Sequence, residues 1–359
     1  MKKNKICIFL SFFFVISNFF AQNAYANFIS AGDQLTTSNY VVRVFDVSDQ
    51  LSHPRDITFN NDGTKMFTVD NGTNKVFEYT LSTPYNISTA VFVNEFSVSS
   101  EDSKAMKVKF NNDGSKMFIG GRSSRKVHEY SLSTNFDISS ASYTGNFIDV
   151  SSQVAGNSLF GLAFSPDGTM MFVNEFLSPH AGDHLHQYSL NKSFDLSGGA
   201  NFIRSADLET QTSGDTQSNG IAFNQSGTRM FMVGSMNNEI NQYTLSEGFN
   251  ISTASFDGGA EVRKFDGGGG DPNGITFSPS GLRMYVAGIN DTEIIEYLLP
   301  CPFNLFAGKC TEITEGDRRG VAEAQINIAN RTIEHSTDTA LNRLKWIRRN
   351  KDLQDLSFR

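Results

Sequence analysis

Histidines and carboxylates are concentrated in one stretch of the sequence, EFLSPHAGDHLHQ (175–187), which holds three of the six histidines of the chain. Imidazole nitrogens and carboxylate oxygens are ligands of zinc and copper. A β-strand would place His184 and His186 on one face, whereas His180 would have to return from a loop. Two interpretations stay open: a divalent metal site, or histidines that are ordinary surface residues of a strand. The candidate ligands are His180, Asp183, His184 and His186.

A second group of polar residues stands directly before β-type runs that recur along the chain. Loops that meet at one end of a repeated β structure would form a polar cup for a small ligand or a cation. The alternative is local, because Asn, Asp and Gly cap turns wherever a chain reverses. The sequence contains no G-x-S-x-G, H-E-x-x-H or Cys–His arrangement, so no catalytic residue is predicted. The candidate ligand-binding residues are Arg55, Asp56, Lys104, Asn157, Asn219, Asp271 and Asn273.

A fivefold repeat predicts the elements that position these residues. FNNDGTKMF (59–67) returns as FNNDGSKMF (110–118), FSPDGTMMF (164–172), FNQSGTRMF (223–231) and FSPSGLRMY (277–285). The motif glycines are 51, 54, 59 and 54 residues apart, a period typical of propeller blades. Each of these glycines suits a short hairpin loop that needs a left-handed backbone. Each unit also predicts short strands, which in the first unit are Ile57–Phe59, Met66–Val69, Val76–Leu81 and Val91–Phe96.

The two ends of the repeat region predict how the array closes. Tyr40–Val47 is similar to the fourth runs of the units, and the fifth unit has three runs but no fourth. The N-terminal strand can therefore complete the fifth unit, which closes a ring and leaves only short edges. We predict an all-β five-bladed β-propeller within residues 27–305, closed by an N-terminal strand and followed by a C-terminal α-helix. An open solenoid is the alternative, and it leaves the offset strand unexplained.

Two segments carry a resemblance to a known superfamily. SNGIAFNQSGTRMFMVG (218–234) and DPNGITFSPSGLRMYVAG (271–288) resemble blades of the YVTN/lactonase-like and WD40-like propellers. The resemblance covers the whole repeat body and implies the fold. It implies no particular activity, because such propellers carry unrelated functions and no catalytic residue can be matched one by one.

The ends of the chain differ from the repeat body. Residues 1–26 combine early lysines, an apolar run and the sequence Ala24-Tyr25-Ala26, which predicts a secretory signal peptide. Cys301 and Cys310 are predicted to form a local disulfide in an oxidising compartment. Residues 306–359 are predicted to form a connector and a helical tail.

The helical tail has three interpretations. It could cap the propeller, or lie on a membrane surface as a basic amphipathic segment. The third rests on a resemblance: EHSTDTALNRLKWIRRNKDLQDLSF (334–358) is similar to the helical linker of autotransporter-type secreted proteins, with the barrel lost or truncated.

The net charge of −8 argues against nucleic acid as a partner, because phosphate binding needs a clustered basic face. Together these features predict an exported protein that is periplasmic, extracellular or associated with the outer membrane through its tail. Its predicted role is a binding or adhesion scaffold for a protein, a glycan or a small molecule. The alternatives are an exported lactonase-like hydrolase with a polar or metal site at the channel mouth, and a periplasmic assembly partner.

Overall fold

The computed structural model describes residues 41–154, 159–175, 184–208, 218–234, 238–262, 271–288, 292–299 and 301–306. All of them belong to one of the two compact units of the chain, Ile29–Cys310. The signal peptide and the helical tail lie outside the described residues, as do four candidate residues of the sequence analysis: Asn157, His180, Asp183 and Cys310.

Within the described residues, twenty strands form five four-stranded antiparallel sheets. The first sheet contains β2 (Pro54–Phe59), β3 (Lys65–Asp70), β4 (Lys75–Leu81) and β5 (Ala90–Ser97). The second contains β6 (Ala105–Phe110), β7 (Lys116–Gly121), β8 (Lys126–Leu132) and β9 (Ala141–Asp149). The third contains β10 (Leu159–Phe164), β11 (Met170–Glu175), β12 (His184–Leu190) and β13 (Ala200–Asp207). The fourth contains β14 (Ser218–Phe223), β15 (Arg229–Gly234), β16 (Glu239–Leu245) and β17 (Ala254–Glu261). The fifth has the order β1 (Val41–Asp46), β20 (Glu293–Leu298), β19 (Arg283–Gly288) and β18 (Pro272–Phe277). The predicted five-bladed β-propeller is confirmed.

The N-terminal strand closes the ring as predicted. β1 pairs antiparallel with β20, so residues from the start of the chain complete the fifth blade. Arg43 of β1 donates a hydrogen bond to the fully buried carboxylate of Glu296, with 2.5 Å between its guanidinium nitrogen and Oε1. Arg283 of β19 contacts the same oxygen. Two guanidinium groups offset the desolvation of one carboxylate, so the closing strand is held by side chains as well as by its backbone ladder.

The second and third strands of each blade are buried on both faces, because every sheet packs between two others. β3 is buried from Met66 to Asp70, whereas β5 at the outer edge exposes Val91 and Val93. Successive apolar residues in the inner strands are the sequence pattern of a sheet covered on both sides. The core consequently lies between blades, in five hydrophobic clusters that each join neighbouring sheets.

An aromatic ring covers the hairpin glycine of each blade. In the second blade Gly114 has φ +73°, and a Cβ atom added there would lie 2.2 Å from the ring of Phe136. The Phe136 N–H donates to the Gly114 carbonyl, with 2.9 Å between N and O. Glycine is therefore required both by its left-handed φ and by the close approach of the ring. The other pairs are Gly63–Tyr85, Gly168–Phe194, Gly227–Phe249 and Gly281–Phe303.

The ring of Phe303 shows that the fifth blade extends further than its three predicted runs. LPCPFNL (299–305) aligns with LSTPYNI (81–87), the packed loop of the first blade. The fifth blade therefore has its own copy of this loop, and its Leu305 is fully buried.

In three blades a side chain of the third strand links the blade to the loop of the next. Glu78 Oε2 accepts a hydrogen bond from the N–H of Ile138 at 3.1 Å, and Glu129 Oε2 accepts one from Leu196 at 2.8 Å. In the fourth blade a glutamine replaces the glutamate, and Gln242 Oε1 accepts from the N–H of Leu305 at 2.8 Å. These acceptor oxygens satisfy buried backbone donors, whether they belong to a carboxylate or to an amide. Among the described residues, no helix has the length and apolar character that crossing a membrane requires.

Candidate functional site

The inner strands of the five blades, β2, β6, β10, β14 and β18, neighbour one another around the propeller axis. They begin at what we call the loop end and finish at the hairpin end, where the repeated glycine motif turns the chain into the second strand. Each inner strand has a register shift near its start, which leaves one residue outside the ladder. A bulge re-aims the side chain at that position. The residues at the bulges are Arg55, Met106, Phe160, Asn219 and Asn273.

The inner strands pack closely at the next residue. The five residues at this level are Asp56, Lys107, Gly161, Gly220 and Gly274. A Cβ atom on Gly220 would lie 2.6 Å from the carbonyl oxygen of Asn273, and one on Gly274 would lie 2.5 Å from the Cα atom of Asp56. Backbone atoms of the neighbouring strand therefore exclude a side chain at Gly220 and Gly274, whereas Lys107 carries a long side chain at this level.

Lys107 is a fully buried lysine that joins three blades. Its Nζ donates to the carbonyl oxygens of Arg55 at 2.7 Å and Asn273 at 2.6 Å. Burial lowers the pKa of Lys107 to about 7, and the nearby charge of Asp56 acts in the opposite direction. The carboxylate of Asp56 accepts hydrogen bonds from the backbone N–H of Val108 at 3.1 Å and from Nζ of Lys109 at 2.8 Å. A single buried carboxylate thus lies beside two lysines.

Several predicted ligand-binding residues meet at the loop end. Arg55 donates to Oδ1 of Asn273 at 3.0 Å, and Asn219 donates to the carbonyl oxygen of Pro272 at 3.3 Å. Burial lowers the pKa of Arg55 to about 10; the charge of Arg122 acts in the same direction, and that of Asp271 opposes it. Arg122 itself lies over the ring of Phe160, 5.0 Å from its centroid.

The remaining predicted residues of the polar cup are placed differently. Lys104 lies in an exposed turn, where Oδ1 of Asp102 accepts a hydrogen bond from its backbone N–H. Asp56 lies one level below the bulges and is buried, so its oxygens serve Val108 and Lys109. The structure therefore brings Arg55, Asn219 and Asn273 together and separates Lys104 from them.

The histidines of the predicted metal site lie on one face of β12, as their spacing predicts. The rings of His184 and His186 are 6.2 Å apart, and Oε1 of Glu175 is 3.4 Å from Nδ1 of the first and 3.4 Å from Nε2 of the second. Nδ1 of His186 contacts the hydroxyl of Ser205 at 2.7 Å. Within the described residues, no group of three or more His, Cys, Asp or Glu side chains has the geometry to hold a metal ion. The metal site stays a prediction, because His180 and Asp183 lie outside those residues.

Cys301 is buried and forms an isolated bridge with Asn304. The predicted disulfide to Cys310 stays a prediction, because Cys310 lies outside the described residues.

A cavity of about 290 Å³ lies at the hairpin end. Each blade contributes the phenylalanine that opens its repeated motif, and three blades also contribute the aromatic ring that covers their hairpin glycine. The phenylalanines are Phe59, Phe110, Phe164, Phe223 and Phe277, and the covering rings are Tyr85, Phe194 and Phe303.

One level of this cavity has a polar side and an apolar side. Thr276, Thr58 and Lys109 lie on three neighbouring inner strands and form what we call the polar arc. At the equivalent positions of the other two blades the lining residues are Ala163 and Ala222, which form the apolar arc. In the described structure the hydroxyls of Thr58 and Thr276 have no hydrogen-bond partner, and Nζ of Lys109 bonds only to Asp56. The polar arc therefore has unused hydrogen-bonding capacity.

Several polar side chains nearer the hairpin turns already have hydrogen-bond partners. Asn60 donates to the hydroxyl of Thr64 at 3.1 Å and accepts from the N–H of Lys65 at 2.9 Å. The hydroxyl of Ser165 donates to Oδ1 of Asp167 at 2.5 Å. These bonds shape the hairpins, so these two side chains have less to offer a bound molecule than the polar arc has.

The chain thus has the architecture of a five-bladed β-propeller with a cavity on its axis. No protein-family model and no curated protein matches the sequence. Solved structures similar to it include a putative 6-phosphogluconolactonase from Bacteroides uniformis ATCC 8492, with 14% identity and a TM-score of 0.40 over 59% of this chain and 55% of that chain. The periplasmic gluconolactonase PpgL of Pseudomonas aeruginosa has 16% identity and a TM-score of 0.36 over 59% of this chain and 55% of that chain. The β-propeller domain of Cps50 (Swd1) from Myceliophteria thermophila has 8% identity and a TM-score of 0.43 over 72% of this chain and 99% of that chain. This chain thus spans little more than half the length of the two lactonases, and the similarity concerns the propeller fold alone.

The sequence analysis missed the polar arc, although the repeat contains a signal for it. The residue before the motif phenylalanine differs between copies: it is threonine, lysine, alanine, alanine and threonine in chain order. The residues that build the blade recur in each copy, whereas a residue that faces the axis is free to differ. A search for variation inside the repeated motif would have found Thr58, Lys109 and Thr276.

Proposed function

We propose that this protein is an exported β-propeller that acts as a binding scaffold and holds a small molecule in its hairpin-end cavity. The polar arc carries the proposal, because it presents two hydroxyls without partners and one ammonium group among the aromatic side chains of the cavity. Small-molecule sites combine apolar and aromatic side chains with a few polar groups that fix the ligand's orientation. The volume of about 290 Å³ lies just below the range of about 300 to 1,000 Å³ that is usual for such sites.

A cavity-filling variant tests this proposal. Ala222→Leu adds three carbon atoms to the apolar arc and leaves every hydrogen bond of the hairpins intact. In a thermal-shift screen of small metabolites, a ligand that binds the cavity raises the unfolding temperature of the wild type, because it stabilises only the folded state. The same ligand should leave Ala222→Leu unshifted. A ligand that stabilises both proteins equally would place binding elsewhere, and the absence of any stabilising metabolite would contradict the proposal.

Export is supported by the sequence of residues 1–26. N-terminal sequencing of the protein recovered outside the cytoplasm should begin at Asn27, directly after Ala26. Recovery of the chain in the cytoplasm with Met1 intact would contradict this part of the proposal.

A second candidate is a hydrolase of the lactonase type at the loop end. Arg55 and Arg122 lie close enough there for the charge of one to lower the pKa of the other, and such paired guanidinium groups suit a carboxylate or phosphate group. If this candidate is correct, the purified protein opens gluconolactone faster than buffer does, and Arg122→Met removes the excess rate. Equal rates with protein and with buffer would leave binding as the function.

A further inference from the structure

The hairpin-end cavity presents a charge opposite in sign to that of the whole chain. The protein carries a net charge of −8, yet Lys109 is the one charged side chain among the described residues that line the cavity. Its partner Asp56 is buried and does not line the cavity. A recess that presents an ammonium group and no carboxylate favours an anion over a cation.

The polar arc offers the donors that a carboxylate needs. Lys109 uses one N–H for Asp56 at 2.8 Å, and the hydroxyls of Thr58 on β2 and Thr276 on β18 are unused. An ammonium group and two hydroxyls can donate together to the two oxygens of one carboxylate. Donation to a charged acceptor gives stronger hydrogen bonds than donation to a neutral one.

The apolar arc and the volume limit the rest of the ligand. Ala163 and Ala222 face the arc from the other two blades, and the phenylalanines of the motif surround both. A volume of about 290 Å³ admits only a small organic molecule. A molecule with a short hydrocarbon chain fits this space, and its polar end has partners only on one side.

We propose that the hairpin-end cavity selects a short-chain monocarboxylate, with its carboxylate on Lys109, Thr58 and Thr276 and its hydrocarbon chain against Ala163 and Ala222. This inference rests on the proposed function of the cavity as a binding site, and it adds the chemical class of the ligand.

The experiment compares three probes of equal length with different charge: pentanoate, pentanamide and pentylammonium. Binding to the full-length mature protein is measured by isothermal titration and by saturation-transfer NMR. Pentanoate should bind at least about tenfold more tightly than pentanamide, because each hydrogen bond to a charged group contributes more than one to a neutral group. Pentylammonium should not bind measurably, because Lys109 repels it.

Variants identify the groups responsible. The double variant Thr58→Val, Thr276→Val should weaken pentanoate binding about tenfold or more, because an isosteric methyl replaces each donor. Thr68→Val is the matched control: its hydroxyl is buried on β3, has no hydrogen-bond partner and lies outside the cavity lining, so binding should not change. Lys109→Met should remove the preference for the anion; thermal unfolding of this variant shows whether the fold survives the loss of the Asp56 ion pair.

The outcomes separate this inference from the proposed function. Equal binding of pentanoate and pentanamide, blocked by Ala222→Leu, would overturn the carboxylate assignment and keep the cavity as a binding site. Unchanged pentanoate affinity in the threonine double variant would also overturn the assignment. Failure of all three probes would overturn it as well, and the metabolite screen would then decide separately whether the cavity binds anything.

Discussion

Lys107 should give the stability of the propeller a distinct dependence on pH. Its side chain is fully buried at the closest approach of the inner strands, and its Nζ is held by the carbonyl oxygens of Arg55 and Asn273. Burial lowers its pKa from 10.5 to about 7 in the folded protein. Between these two values the unfolded chain holds a proton that the folded protein has released. The free energy of unfolding must therefore rise with pH across this range, and it levels off well below pH 7, where both states hold the proton.

The size of the effect follows from the two pKa values. Between about pH 7.5 and about pH 9.5 the folded lysine is mostly neutral and the unfolded lysine is mostly charged, so nearly one proton separates the two states. At about 1.4 kcal/mol per proton and pH unit, the free energy of unfolding should rise by about 2 to 3 kcal/mol over this interval. Burial lowers the pKa of His128 below 6.5 and raises the pKa of Tyr79 and Tyr130 above 10, so these groups act mainly outside the interval.

The assay is equilibrium unfolding in urea at several pH values across this interval. The wild type should gain stability as the pH rises, and Lys107→Met should show a flat profile. The absolute stability of the variant is not the test, because methionine leaves two carbonyl oxygens without their donor. Lys75→Met, which removes a surface lysine paired with Glu95, is the control and should keep the wild-type slope. A flat wild-type profile, or equal slopes in the wild type and Lys107→Met, would refute the reasoning.

Three further predictions concern the construction of the blades. Gly114→Ala should destabilise the protein by about 2 kcal/mol or more, because of its positive φ and the ring of Phe136. Gly145 has φ +83° and open space around it, so Gly145→Ala should cost only about 1 kcal/mol. Equal losses in chemical denaturation would contradict the role of the ring. Glu129→Ala should lower the free energy of unfolding by about 2 to 4 kcal/mol, and Glu129→Gln should lower it much less, since glutamine keeps the acceptor oxygen. Urea unfolding of both variants tests this. Equal losses of stability would show that the charge matters instead. Removal of the chain through β1 (Val41–Asp46) should expose the edge of β20 and make the protein associate, which size-exclusion chromatography detects; a stable monomer would contradict closure by this strand.

The repeat made the fold accessible to sequence reasoning. The number of blades could be predicted from Gly63, Gly114 and their three counterparts, because a left-handed hairpin position accepts few other residues. The similarity of Tyr40–Val47 to the fourth strands predicted the closure that β1 and β20 form. The fifth packed loop was overlooked because LPCPFNL lies where the composition already changes, although its aromatic residue and its Asn match those of the first blade.

The candidate site was less accessible. Sequence reasoning selected residues by their type in loops, and it found Arg55, Asn219 and Asn273, which meet at the loop end. It could not find Lys107, because burial and two carbonyl partners, not the residue type, make this lysine unusual. It also passed over Lys109, which stands inside a strand whose neighbours looked purely structural.

The sequence by itself determined the number of blades, the hairpin glycines and the strand that closes the ring. These features depend on local backbone conformation and on a repeating period, which neighbouring residues encode directly. Only the tertiary structure decided that the hairpin end contains a cavity and which side of that cavity is polar. Thr58, Lys109 and Thr276 belong to three different blades, and they meet only because ring closure brings the first blade beside the fifth. The packing of all five inner strands sets the width of the channel around the axis at each level, and no single repeat contains that information.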